Sequence, residues 1–229
     1  MLTPLKSFTL VHQAAEQLIK YIDENGLGEG DSLPSIAELS EKFGASRAVI
    51  RESLKGLEAK GIIEVANGKR AKIRPLTNEP LINYFQRVIQ VDNSAAWEFA
   101  EIRVALELQC VSLAIQRASD EELQDLRPIV MQMHDNLDDA EAFAELDVKF
   151  HLLIAYATHN TMMVHMLESL RDTIRESVRK GLTKRLTREQ MAGVQNCHES
   201  LVEALIQRDV ASASEAMHAH FDEIAMTLE

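Results

Sequence analysis

Along the first third of the chain the apolar residues fall into short, sharply bounded runs with two different periods. Val11, Ala14, Ala15, Leu18, Ile19 and Ile22 recur every three or four positions, which predicts an amphipathic helix ending near Asn25 and Gly26. The glycine-rich stretch up to Pro34 reads as a loop. Ser35, with Glu38 three residues on, forms a capping-box pattern for a short helix reaching about Phe43, its inner face being Ile36, Leu39 and Phe43. Gly44 and Ala45 make a turn, Ser46 is placed to cap a second helix over Arg47–Lys60, and Gly61 stops it; Val49, Ile50, Leu54 and Leu57 form its apolar side. The period then drops to two in Ile62–Val65 and Arg70–Ile73, on either side of Asn67-Gly68, a strong hairpin signal. A helix, a helix-turn-helix and a two-stranded wing together predict a winged helix over residues 1–75.

Pro75 and the Asn78-Glu79-Pro80 stretch punctuate the chain, so residues 76–80 read as a linker. Beyond them only the helical period persists, at about 81–90, 94–117, 120–136, 139–157, 161–181, 187–207 and 209–228. Ser119 with Glu122, Thr187 with Gln190, and Asp209 are the capping signals, and Pro128 is expected to kink or divide the third segment. The fold class expected is mainly α: an N-terminal winged helix-turn-helix, then an all-α bundle of six or seven helices over residues 81–229.

Composition fits a globular chain, with 46% hydrophobic and 26% charged residues among 229. No apolar run is long enough to span a bilayer and the start lacks a secretory pattern, so a cytoplasmic protein without a membrane partner is expected. Cys110 and Cys197, without a CxxC spacing, read as small hydrophobes rather than a disulfide or thiolate site. The net charge of −12 would argue against nucleic acid if it were evenly spread. It is not: residues 1–75 are slightly basic, and residues 41–75 carry nine Lys and Arg against four Asp and Glu.

That basic surplus lies where a winged helix meets DNA. Ser46, Arg47 and Arg51 occupy the start of the second helix, the end that enters a major groove, and Lys55 extends the same face by a turn. An Arg fork on that face can take the O6 and N7 acceptors of guanine while a neighbour grips phosphate. Asn67, Gly68, Lys69 and Arg70 at the hairpin tip are candidates for backbone or minor-groove contact. The alternative for each cation is a solvated helix charge. The segment from Leu33-Pro34-Ser35 through Ser46-Arg47 and Arg51-Glu52-Ser53-Leu54 to Gly61 resembles the winged-helix domain of GntR-superfamily transcriptional regulators. The resemblance implies operator contact by Ser35, Ser46, Arg47, Arg51 and the wing around Gly68. Where that family usually has Glu-Arg after Leu-Pro-Ser, this chain has Ile36-Ala37, so one arginine contact is missing.

In the acidic body the histidines carry the chemistry. Asp147 and His151 are four apart and continue the apolar stripe of Phe143, Ala144, Phe150 and Ile154. His198 shares a face with Leu201, Val202 and Leu205, and His220 with Ala216, Met217 and Ile224, whereas His218 falls on a solvated face. One oxygen and three nitrogens meeting inside the bundle would suit Zn²⁺, Ni²⁺ or another divalent transition ion; the alternative is three core histidines satisfied by hydrogen bonds. His12, His134, His159 and His165 are read as uninvolved, His159 lying in a loop.

Glu101-Ile102-Arg103 to Glu107, Asp147 to His151 with Asn160 beyond, His198, and Ala216-Met217-His218-Ala219-His220 resemble the FCD effector domain of the FadR subfamily. The resemblance implies that Asp147, His151, His198 and His220 hold a metal, zinc first with nickel or manganese as alternatives, and that a small carboxylate effector completes its coordination. It argues against an acyl-CoA ligand. Arg103 is either an effector contact or an ion-pair partner of Glu107, and Asn160, Arg171 and Arg175 are further pocket candidates. The function expected is a homodimeric repressor on a pseudo-palindromic operator, released by an organic, hydroxy or sugar acid. The alternatives are a metal-dependent enzyme, disfavoured because no HExxH or paired general base is present, and a regulator with a purely structural metal.

Overall fold

Side-chain caps set the geometry of the N-terminal part of the chain. In the computed structural model, which describes residues 9–65, 69–92, 95–181 and 188–226, α1 (Leu10–Glu24) begins at a Thr9 cap. Ser35 and Glu38 form the full capping box of α2 (Ile36–Phe43), and Gly44 ends it in the left-handed conformation at φ 59°. Ser46 caps α3 (Arg47–Ala59) by accepting from the Val49 N–H at 3.3 Å. Strand β1 (Ile63–Glu64) pairs antiparallel with β2 (Lys72–Ile73), Ile63 opposite Ile73 and Glu64 opposite Lys72, and Ser32 bridges to Lys72 from the other side. Asn67 and Gly68, the expected turn of the wing, lie outside the described residues.

These elements close over one apolar cluster in which Leu18, Leu33, Ile50, Leu57 and Ile63 lose all contact with solvent. Each such side chain contributes about 1.5–3 kcal/mol relative to exposure. Ser53, buried on α3, places its hydroxyl 2.8 Å from the Val11 carbonyl, and so ties α3 to α1. The outward face of α3 is left to its charges.

The chain divides into two compact units, Met1–Pro80 and Leu81–Glu229. The second begins within α4 (Glu79–Val91) and continues with α5 (Ala95–Arg117), α6 (Asp120–Gln124), α7 (Leu126–Asp135), α8 (Ala140–Ala157), α9 (Thr161–Gly181), α10 (Arg188–Ile206) and α11 (Val210–Met226). The segment expected over 120–136 is two helices. Pro128 has no N–H to bond the carbonyl of Gln124, four residues back, and its ring collides with that carbonyl, so the break falls at Asp125. Ser119 and Glu122 form their capping box, and Asp209 caps α11 through the Ala211 and Ser212 N–H groups; Thr187 lies outside the described residues.

Within the bundle α5 packs against α8, α9 and α11, and α10 runs along α11. Phe150, Ile154, Leu167, Leu201 and Leu205 are at its centre. Arg208 closes the corner after α10: held at φ 56°, it donates to the Ile115 and Ala118 carbonyls at 2.5 and 2.8 Å. Cys110 is buried, its thiol pushed up to about 12 chiefly by desolvation, while Cys197 is half-buried. No helix among the described residues is long and apolar enough to cross a membrane.

Candidate metal centre and DNA-contacting face

On α3 the buried side faces α1 and leaves Arg47, Arg51 and Lys55 exposed in a row. Lys55 pairs with Glu52 at 2.9 Å, whereas neither Arg47 nor Arg51 is tied into an ion pair among the described residues. At the helix starts Ser46 is exposed and Ser35 half-buried, each accepting a backbone hydrogen bond with its hydroxyl at 3.3 Å. Lys69 is exposed beside the hairpin, and Arg70 pairs with Glu38 at 3.3 Å, joining the base of the wing to α2. The face can offer two unpaired guanidinium forks and helix-terminal hydroxyls to a polyanion.

Inside the bundle three helices bring four ligand-type side chains together: Asp147 and His151 from α8, His198 from α10 and His220 from α11. One donor atom from each lies within 4.8 Å of all the others. Asp147 Oδ1 is 3.2 Å from His198 Nε2, 3.4 Å from His151 Nε2 and 4.0 Å from His220 Nε2. The three imidazoles are buried, and Asp147 keeps 19% of its side chain exposed. Phe150 meets His151 and His198 edge-on, with ring centroids 5.3 and 5.0 Å away, and fixes both rings in an apolar wall.

None of the three Nε2 atoms has a hydrogen-bond partner among the described residues. Each such orphan costs about 1–3 kcal/mol, so three in one spot ask for a common partner. Bonds of about 2.0–2.2 Å place neighbouring donors of one ion about 3–3.5 Å apart, which matches the spacing of Asp147 to His151 and His198. Burial pulls His198 and His220 below the ordinary imidazole range, which keeps their lone pairs available. Burial pushes the Asp147 carboxyl up, but His151, His198 and Arg171 outweigh it and hold it well below the carboxylate range. The donor set therefore fits a divalent transition ion, and the cluster suggests a metal site.

Behind these ligands lies a buried charge network. Glu107 on α5 accepts from Arg103 Nε at 2.6 Å and from Arg171 Nη2 at 3.0 Å through Oε1, while Oε2 contacts His151 Nδ1. Burial raises the Glu107 carboxyl, yet the two guanidinia and His151 hold it well below its ordinary value. Arg171 also approaches Asp147 Oδ2 at 3.6 Å. Arg103 thus makes the ion pair with Glu107 and lies 5.0 Å over the Phe221 ring, while its Nη2, like Nε of Arg171, has no hydrogen-bond partner among the described residues.

The remaining pocket candidates are placed differently. Asn160 spends its side-chain oxygen on the first turn of α9, accepting from the Met162 and Met163 N–H groups at 3.1 and 3.3 Å. Arg175 is on α9, with its side chain outside the described residues. His218 is exposed, and His134 and His159 pair with Glu199 and Glu122 at the surface. Glu107 was visible in the sequence only as a partner for Arg103; its contacts to α8 and α9 span 44 and 64 positions and leave no local pattern.

Comparison with known proteins places both halves of the chain. Residues 10–73 match bacterial regulatory proteins of the gntR family, and residues 98–223 match the FCD domain. The HTH-type transcriptional repressor NanR of Salmonella newport is 27% identical over 227 residues, covering 98% of this chain and 87% of that protein. Among solved structures, a Streptococcus agalactiae GntR shares 24% identity at a TM-score of 0.72, covering 94% of this chain and 99% of that one. The E. coli protein McbR/YncC shares 19% at a TM-score of 0.54, covering 97% and 98%. These are families of regulators and not of enzymes. The chain belongs to the GntR-family transcriptional regulators that join a DNA-binding helix-turn-helix domain to an FCD domain.

Proposed function

We propose that the protein is a metal-dependent repressor whose operator affinity falls when a small carboxylate binds at the centre formed by Asp147, His151, His198 and His220. The observation that carries this reading is the charge balance inside the bundle. The carboxylates of Glu107 and Asp147 are matched by the guanidinia of Arg103 and Arg171. A divalent ion among the four ligands adds two positive charges to a buried site that has no further carboxylate beside it among the described residues. An anionic ligand restores the balance, and Arg103 Nη2 and Arg171 Nε, which have no hydrogen-bond partner among the described residues, are donors of the right kind for a carboxylate. Zinc is the ion best suited to three imidazoles and a carboxylate, with nickel and manganese as alternatives. When bound, the ion acts as a Lewis acid that accepts a carboxylate oxygen of the effector.

Arg47, Arg51, Lys55 and Lys69 face the operator in this reading, with Ser35, Ser46, Asn67 and Gly68 contributing at the helix starts and the wing. The chain works as a homodimer, so that two recognition helices read half-sites about one helical turn apart. The relatives named as repressors support the direction of control. Coupling between effector and operator of about 1–3 kcal/mol would change DNA affinity about 5- to 150-fold.

The test is to select the operator from fragmented genomic DNA with the full-length protein, then to titrate it at fixed zinc with organic, hydroxy and sugar acids. A two-fold-symmetric site released by one of these acids only when metal is present is the expected result. Release that is indifferent to metal, or no symmetric site, contradicts the proposal.

A further inference from the structure

We infer that Glu107 is a positioning residue of the metal centre: its carboxylate fixes the tautomer and orientation of His151 and holds Arg103 and Arg171 beside the ligands. The inference rests on the proposed metal site and adds a residue outside the ligand set. Glu107 is 1% exposed and joins three elements, taking Arg103 from its own helix α5, His151 from α8 and Arg171 from α9.

A neutral imidazole has one N–H and one lone pair. A carboxylate against Nδ1 selects the tautomer with the proton on Nδ1, which leaves the Nε2 lone pair pointing toward Asp147, 3.4 Å away. His198 and His220 have no carboxylate against Nδ1 among the described residues, their contacts with Asp147 being made through Nε2. His151 is therefore the ligand whose direction is set from behind, and the other two are placed by packing against Phe150 and Phe221. The same Oε1 atom engages both guanidinia, so loss of the charge at Glu107 frees two buried cations next to an incoming cation.

The experiment titrates Zn²⁺ into metal-free full-length protein in competition with a chromophoric chelator, comparing the parent with Glu107→Gln, which keeps size and an acceptor oxygen but removes the charge. The expected result is one zinc per parent chain and binding about 10- to 100-fold weaker in a variant whose circular dichroism is unchanged. Equal zinc affinity in the folded variant overturns the inference and leaves the metal site standing, whereas a parent that binds no zinc overturns both. Long-range nitrogen–proton NMR of the zinc-loaded parent gives an answer even where the variant does not fold. A proton on His151 Nδ1 with zinc on Nε2 supports the assignment, and zinc on Nδ1 overturns it. A merely structural role for Glu107 would lower thermal stability without moving zinc affinity.

Discussion

Asp147 and Arg51 are two charged residues whose surroundings assign them opposite tasks. Asp147 is enclosed by imidazoles and Arg171, and its carboxyl is held well below the carboxylate range despite its burial. Arg51 stands exposed on α3, without an ion pair among the described residues to compete with an outside anion. The substitution Arg51→Ala removes a guanidinium but no buried contact, so operator affinity should fall by about 1–3 kcal/mol, roughly 5- to 150-fold, with the melting temperature unchanged. Fluorescence anisotropy on a labelled operator measures this, and an Arg51→Ala variant that binds as tightly as the parent takes Arg51 out of the interface. At this scale the two readings of Arg103 turn out to be compatible. Its Nε serves Glu107 while Nη2 is left without a hydrogen bond among the described residues.

Helix boundaries were legible in the sequence wherever a few neighbouring residues decide them. Ser35 with Glu38, Ser46, Ser119 with Glu122 and Asp209 all act as caps, because a hydroxyl or carboxylate three residues from an unpaired N–H needs no tertiary partner. Pro128 was legible as a break, though its effect falls at Asp125, since the lost hydrogen bond belongs to the preceding turn. The four ligand candidates could be read from helical spacing, which fixes the face of one helix. What spacing cannot show is which faces meet, so the contacts of Glu107 with His151 and Arg171 emerge only from the packing of α5, α8 and α9. Glu122 allows a test at this scale. Its carboxyl is held below the ordinary range, first by the Ser119 N–H and next by His159, so its stabilisation is present above the unfolded value of about 4.3 and disappears as pH falls through the folded one. In urea titrations the parent should be more stable than Glu122→Gln near neutral pH and converge with it in acid. A difference that stays constant from neutral to acid pH contradicts this role.

For the whole molecule the division of charge matches the division of labour. The acidic excess belongs to residues 76–229, while the segment that forms α3 and the wing carries the basic surplus that a DNA-binding half requires. The body in turn concentrates its buried ionisable groups at one place, where the Nε2 atoms of three imidazoles have no hydrogen-bond partner among the described residues. The most direct measurement is the metal content per chain, by elemental mass spectrometry, of protein purified without chelator or affinity tag, beside His198→Ala. The expected result is about one transition ion per chain in the parent and its loss in the variant. A folded parent without metal, and unable to take up added zinc, would contradict the assignment of the centre.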